Sequence, residues 1–222
     1  MKKGILAVCA GLFSLAAMAQ KVHNPGDFND LKVFDRISAE LIPSDQSRVE
    51  IEGSRSEDVE VINKNGELKI RMRTTKLLTG ENIQAKVYYV KLEDIQASEG
   101  ASIGSSSPVK NYEVQLAVKS GGSINLSVEA DEFEGSVSTG GSLKVVGQAT
   151  RGKLAVTTGG TINAKELQLD RAKADVKAGG SITVKAKDHV EARVTTGGTI
   201  DIYGKPLEVD KKVTLGGSIN MQ

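Results

Sequence analysis

The segment VTTGGTINAKELQLD, Val156–Asp170, sets two glycines between short runs in which polar and apolar residues alternate. Near copies of its centre recur as STGGSLKV, KAGGSITV, TTGGTIDI and TLGGSINM. The first glycine of each pair falls at Gly121, Gly140, Gly159, Gly179, Gly197 and Gly216, in steps of 19, 19, 20, 18 and 19 residues. Gly100, in SEGASI, is a degenerate member 21 residues upstream. A period near 19 residues is the signature of a solenoid, in which no repeat can bury its own apolar face and each must stack on its neighbours.

Inside each repeat the period is two. Ile124, Leu126 and Val128 alternate with Ser123, Asn125 and Ser127, and Phe133, Gly135 and Val137 alternate with Glu134, Ser136 and Ser138. This is strand periodicity, and the spacing of three and four that a helix needs is missing. The shared register predicts inward ladders of Val118, Val137, Val156, Val176, Val194 and Val213, and of Ile124, Leu143, Ile162, Ile182, Ile200 and Ile219. Strands that return to one position every coil lie parallel to their predecessors, so the expected fold is all-β, a right-handed parallel β-helix of about 19 residues per coil. The glycine pairs Gly121–Gly122, Gly140–Gly141, Gly159–Gly160, Gly179–Gly180, Gly197–Gly198 and Gly216–Gly217 then mark the corners, where a tight bend calls for positive φ without a Cβ. The opposite bend of each coil is longer and charged, as in EADEFEG, KELQLDR, KAKDHVE and GKPLEVDKK.

Three regions follow. Lys2-Lys3, an apolar run from Ile5 to Ala17 and Ala17-Met18-Ala19 before Gln20 make residues 1–19 a secretory signal peptide, so the protein is expected to be exported to the periplasm, the cell surface or the medium. Lipidation at Cys9 is disfavoured, because Val8 stands where a small residue is wanted. Residues 20–92 hold short alternating runs with Asn65-Gly66 between two of them, a two-residue hairpin signal, and are expected to pair partly antiparallel and cap the solenoid. Residues 93–222 carry the repeats. At their far end Val213, Leu215, Ile219 and Met221 would leave an open apolar edge, with weak end-to-end self-association as the expectation.

Removing the leader takes away the single cysteine, so no disulfide is expected in the mature chain. It also takes Lys2 and Lys3 from the 29 basic residues, leaving 27 against 28 acidic ones. That balance, without a basic run, argues against nucleic acid as a partner. No apolar stretch reaches the length of a transmembrane helix.

The leader, FDRISAELIPSDQSRVEIEGSRSEDVEVINKNGELKIRM, VYYVKLEDIQASEGASI and the serial GGSIN units together resemble the family called putative autotransporter adhesin, head GIN domain, from about Phe34 to the C-terminus. The resemblance implies a β-helical head of the kind exported by Bacteroides-like bacteria, with a role in adhesion. No translocating β-barrel segment follows residue 222 in this sequence, so the expectation is a head without its own translocator.

For function, the expected reading is a non-enzymatic binding solenoid whose ligand is a glycan or a protein of the cell envelope. Its candidate face is the outward column Asn125, Lys144, Asn163, Thr183, Asp201 and Asn220. The alternative is an enzyme acting on envelope polysaccharide, which a deep groove holding two or more carboxylates within about 10 Å would favour. A third reading, an ice- or water-ordering surface, rests on the hydroxyl column Ser123, Ser142, Thr161, Ser181, Thr199 and Ser218, although local bonding of these hydroxyls explains them equally. No cofactor is expected. The third glycine and the aspartate column of a calcium roll are missing, and His23 and His189 are too few for a histidine-based metal site. A Ser-His-Asp site has no G-x-S-x-G elbow to support it.

Overall fold

The computed structural model describes residues 21–222, so the leader and Cys9 lie outside the described residues. All but two short 3-10 turns of its regular structure is strand: β1 (Lys21–His23), β2 (Asp30–Val33), β3 (Ser38–Pro43), β4 (Arg48–Glu52), β5 (Val59–Lys64), β6 (Glu67–Met72), β7 (Gln84–Tyr89), β8 (Asp94–Ala97), β9 (Ser102–Ser105), β10 (Val109–Lys110), β11 (Glu113–Val118), β12 (Ser123–Val137), β13 (Ser142–Thr158), β14 (Thr161–Ala178), β15 (Ser181–Thr196), β16 (Thr199–Tyr203), β17 (Glu208–Leu215) and β18 (Ser218–Met221). From β8 onward the chain winds about 7 turns of a parallel solenoid at a spacing of ~19 residues. Each turn has a strand before the glycine corner and a strand after it, and the two sheets so formed face each other across the core. No helix among the described residues is long and apolar enough to cross a membrane.

The ladders align like residue with like. Val118 pairs with Val137, Val137 with Val156, Val156 with Val176 and Val176 with Val194, all at most 1% exposed. Ile124, Leu143, Ile162, Ile182 and Ile200 form the facing ladder across the corner and are equally buried. Each such side chain contributes roughly 1.5–3 kcal/mol of burial that only the coils above and below can supply. In the last coil Val213 and Leu215 are exposed and Ile219 is only partly buried.

Every corner consists of two successive residues at positive φ, but the glycines do not always provide both. At Gly159–Gly160 they do (φ 62° and 102°), and so do the three later pairs. Earlier in the chain the pair slips back by one residue, to Thr139–Gly140 (φ 55° and 77°), Ser120–Gly121, Glu99–Gly100 and Asp35–Arg36. Gly122 and Gly141 then have ordinary φ and are small for another reason. A Cβ on Gly141 would lie 2.5 Å from Val118 Cγ1, and one on Gly122 would lie 2.7 Å from the carbonyl oxygen of Ala97.

The charged bends are not loops. β12, β13, β14 and β15 run through them as continuous strands of 15 to 18 residues, and most ladder pairings persist on either side. In β12 the buried parity passes from Val128 to Phe133 across exposed Asp131, an inserted residue that turns the strand as a β-bulge does.

The N-terminal region is partly antiparallel, and its order in space differs from its order in sequence. β5 and β6 form a hairpin about Asn65–Gly66 (φ 55° and 85°), and β4 pairs antiparallel with both β1 and β7. β2, however, lies parallel between β6 and β8, and β3 lies parallel between β7 and β9. The coil made by β2 and β3 is thus inserted between the β6–β7 coil and the β8–β9 coil, so the parallel ladder reaches well into the region before residue 93. The antiparallel strands β5, β4 and β1 cover the outer end, where an unpaired sheet edge would otherwise stand.

Candidate functional site: a charged groove on the first sheet

The column Asn125, Lys144, Asn163, Thr183, Asp201 and Asn220 is in direct register on the sheet after the corner. Its members are exposed or half-buried, and within it Asn220 donates to Asp201 Oδ1 at 2.9 Å. The neighbouring hydroxyl column bonds along itself, Ser181 to Thr161 at 3.4 Å and Ser218 to Thr199 at 3.3 Å, which uses locally the hydrogen-bonding capacity that water ordering would need.

A pronounced concavity lies on the other sheet, over the strands before the corner. It is an open groove of ≈ 530 Å³ that spans β11 to β15. Two ridges of side chains flank it: Glu113, Glu132, Arg151, Arg171 and His189 on one side, and Glu134, Lys153, Lys173 and Glu191 on the other. Alternation explains the ridges, since residues two apart on a strand point the same way and the residue between them points in. The floor has its own cause. The inward column reads Val114, Phe133, Gly152, Ala172, Val190, so the two smallest residues stand side by side between larger ones. Leu169 fills in behind them so closely that a Cβ on Gly152 would lie 2.6 Å from Leu169 Cδ1. Gly152 and Ala172 line the groove between the two rows of long charged side chains.

Charge is sorted along this face. Arg151 and Arg171 are ladder partners, as are Lys153 and Lys173, so four cations occupy two adjacent strands about 4.8 Å apart. Arg151 is held by Glu132, with Nε donating to Oε1 at 2.7 Å, and that pairing raises the guanidinium pKa further. Lys173 pairs with Glu191 at 3.2 Å, and Glu191 also accepts from Arg193 at 3.1 Å. Lys153 and Arg171 have no ion-pair partner among the described residues. Beyond β15, His189 Nε2 lies 3.1 Å from Asp210 Oδ2. His189, Glu208 and Asp210 bring three ligand-type atoms within 4.8 Å of one another, but Glu208 and Asp210 are exposed and no fourth group among the described residues joins them, so we assign no metal.

Towards the N-terminus the same face is acidic. Asp30 and Asp94 are ladder partners in a smaller depression of ≈ 260 Å³. Burial raises both carboxyl pKa values, helped by Glu67 at Asp30 and by Asp30, Glu113 and Glu93 at Asp94. Glu67 behaves in the opposite way: hydrogen bonds from Lys32 and Lys69 hold it at about 2. A raised carboxyl pKa costs stability at neutral pH, and that cost disappears as pH falls through the raised value towards the ordinary 3.8. A lowered one stabilises above the ordinary 4.5, and that contribution is lost as pH falls towards 2. The two aspartates are therefore expected to raise the urea midpoint as pH falls through their raised pKa values and Glu67 to lower it below about pH 4.5, while His23, whose pKa is lowered by burial and by Lys21, works against the rise below about pH 6.5. Asp94→Asn should raise the midpoint at pH 7 and flatten the acid-side rise. An unchanged profile in that variant would exclude the Asp30–Asp94 pair as its source.

The groove was not predicted as a site, although its residues were in view. Glu132, Glu134, Arg171, His189 and Glu191 all belong to segments read as the charged bend. The signal that could have found it is the repeated Arg-small-Lys triplet, Arg151-Gly152-Lys153 and Arg171-Ala172-Lys173, at one position of successive coils.

The sequence model of the family described as putative auto-transporter adhesin, head GIN domain, matches residues 27–206. No protein of curated function matches. Among solved structures, the fold is similar to that of a putative adhesin from Bacteroides fragilis, with a TM-score of 0.85 and 16% identity over 93% of this chain and 98% of that one. It is also similar to a putative adhesin from Parabacteroides merdae, with a TM-score of 0.74 and 19% identity over 94% and 97% of the two chains. A putative lipid binding protein from Parabacteroides distasonis has a TM-score of 0.71 and 20% identity over 92% and 96%. At these identities the likeness concerns the fold.

Proposed function

The chain belongs to the putative auto-transporter adhesin, head GIN domain family, and from that membership we propose that it is an exported, non-enzymatic binding module of the cell envelope that takes its ligand on the outward faces of its two sheets. The observation that carries this reading is the groove over Gly152 and Ala172, an open trough with a backbone floor and walls of long charged side chains. Such a trough offers hydrogen bonds and charge over several coils without enclosing a reacting centre. The column from Asn125 to Asn220 on the opposite sheet provides a second, flatter polar surface for the same purpose.

One observation favours the alternative of a polysaccharide-active enzyme. Glu132 faces Glu113 across one ladder step and stands two residues from Glu134, which places three carboxylates in the groove within the span that glycoside hydrolysis uses. Against it, Glu132 is already engaged by Arg151, whose Nε donates to Oε1 at 2.7 Å, so this carboxylate is not free to face a sugar. Glycan arrays and turnover assays on the protein without its leader separate the two readings. Retention of glycans with no release of reducing ends is the expected result. Release of reducing ends that disappears in Glu132→Gln or Glu134→Gln would overturn the binding reading in favour of the enzyme.

A further inference from the structure

We propose that the groove is selective for an acidic polysaccharide, and that Lys153 and Arg171 are the side chains that grip its anionic groups. The inference rests on the binding reading above and names the ligand class for that site.

The first argument is energetic. Arginine beside arginine and lysine beside lysine in register is a like-charge arrangement that destabilises a ladder. Glu132 and Glu191 relieve it at Arg151 and Lys173, but nothing among the described residues relieves it at Lys153 and Arg171. Glu134 faces Lys153 in register without pairing with it. The two unpaired cations sit on opposite ridges and adjacent strands, so they look at each other diagonally across the floor at Gly152 and Ala172. A carboxylate or sulfate lying in the trough would accept from both, and the guanidinium of Arg171 can offer two parallel N–H donors to it.

The second argument is the pattern around the cations. Glu113, Glu132 and Glu134 lie on the N-terminal side and Glu191 on the C-terminal side. A polyanion without hydroxyl donors laid along the solenoid axis, or a flat anionic membrane, would set its charge against these carboxylates as well as against the cations. A sugar acid would not suffer in this way. Each of its units carries one anionic group for the cations and several hydroxyls that can donate to the flanking carboxylates. Phe133 is the one phenylalanine, tyrosine or tryptophan that lines the trough and it is buried beneath the sheet, so recognition inside the trough is by charge and hydrogen bonds. The expected affinity is accordingly sensitive to salt, since both cationic heads are near solvent.

Isothermal titration of the protein without its leader tests this with four probes: polygalacturonate oligosaccharide, a sulfated oligosaccharide, a neutral dextran oligosaccharide, and vesicles of phosphatidylcholine with phosphatidylserine. The acidic oligosaccharides should bind at low salt, weaken on raising ionic strength, and lose about tenfold or more in affinity in Lys153→Gln/Arg171→Gln. Neutral dextran and the vesicles should not bind. Lys76→Gln, on the exposed link between β6 and β7 and away from both candidate faces, is the control and should bind like the wild type. Because both substituted residues are exposed and like-charged neighbours are being removed, the double variant should melt no lower than the wild type, which guards against misfolding as the explanation. Equal binding of acidic and neutral probes, binding of the vesicles alone, no binding of either acidic probe, or an affinity unaffected by the double substitution would each overturn the proposal. If glycan arrays still show retention in those cases, the binding reading survives without this site. Turnover of a probe would remove the binding reading itself.

Discussion

Gly160→Val is expected to be among the most damaging single substitutions in the solenoid, costing roughly 3 to 6 kcal/mol, whereas Asn at the adjacent Gly159 should cost less than about 1 kcal/mol. The two glycines look equivalent in sequence and are not equivalent in space. Both have positive φ, 62° at Gly159 and 102° at Gly160, but only the first lies in the region that asparagine tolerates. Around Gly159 there is room, the nearest atom to an added Cβ being the Gly140 nitrogen at 4.0 Å. At Gly160 an added Cβ would lie 2.5 Å from Val137 Cγ1 and 2.7 Å from the carbonyl oxygen of Gly141. The valine methyl could turn aside, but the carbonyl is fixed by accepting the Thr161 amide at 3.0 Å in the coil-to-coil ladder. Strain in φ and overpacking against backbone therefore add. Urea midpoints of the two variants decide it, and equal losses at both positions would mean that backbone dihedral alone, and not the stacking of corner on corner, makes these glycines necessary.

That asymmetry shows how much of the fold could be read from the sequence. The period of 19 and the inward ladders are legible because every coil poses the same packing problem and solves it with the same residue type at the same offset. Val137, Val156 and Val176 are stacked because a valine is the shape that fits between two valines. What a repeat cannot reveal is a shift within itself. The slip of the positive-φ pair from Thr139–Gly140 to Gly159–Gly160 leaves the GG string unchanged, because one glycine serves dihedral need and the other serves steric need. The insertion of the β2–β3 coil between its neighbours was hidden more completely. Its corner, Asp35–Arg36, contains no glycine, and its strands are only four and six residues long, so no periodic signal announces it.

The groove was illegible for a different reason. A column such as Asn125 to Asn220 can be followed along the sequence because each member stands three residues after the second glycine of a corner. The column Glu113, Glu132, Arg151, Arg171, His189 begins just beyond a bend whose length changes from coil to coil, with register shifts between Lys144 and Val146 and again between Ala164 and Arg171. Counted back from the next corner, each member stands eight residues before the first glycine of its pair, so the register is recoverable from that side; what conceals the site is that charge in these segments reads as a solvated edge although it is gathered on one sheet. That Gly152 and Ala172 stand together in the groove lining shows only once the coils are aligned on that offset.

Asp35→Ala should be the most damaging change outside the repeats, costing about 3 to 5 kcal/mol, and its effect should be confined to the N-terminal end. Asp35 is 1% exposed and stands at positive φ in the corner of the inserted coil. Its carboxylate accepts from two amides of the outer coil, Met72 N to Oδ2 at 3.0 Å and Leu78 N to Oδ1 at 3.0 Å, while its own carbonyl accepts from Gly80 N at 3.0 Å. One side chain therefore ties the long link between β6 and β7 down onto the coil it covers. Alanine removes both acceptors, leaves the Met72 amide buried without a partner, and tolerates positive φ poorly. Asparagine keeps the dihedral preference and one acceptor oxygen, so Asp35→Asn should lose about half as much. Hydrogen exchange localises the effect: amides of Met72 and Leu78 should lose protection in Asp35→Ala, while those of the Ile162 and Ile182 ladder keep theirs. The neighbouring Glu99 gives an independent signal, since its carboxyl pKa is raised by burial and by Asp35, and should fall once the aspartate is gone. Loss of protection spread evenly over all coils would show instead that the outer coils and the repeats unfold as one cooperative unit, and that Asp35 stabilises the whole solenoid and not its covered end.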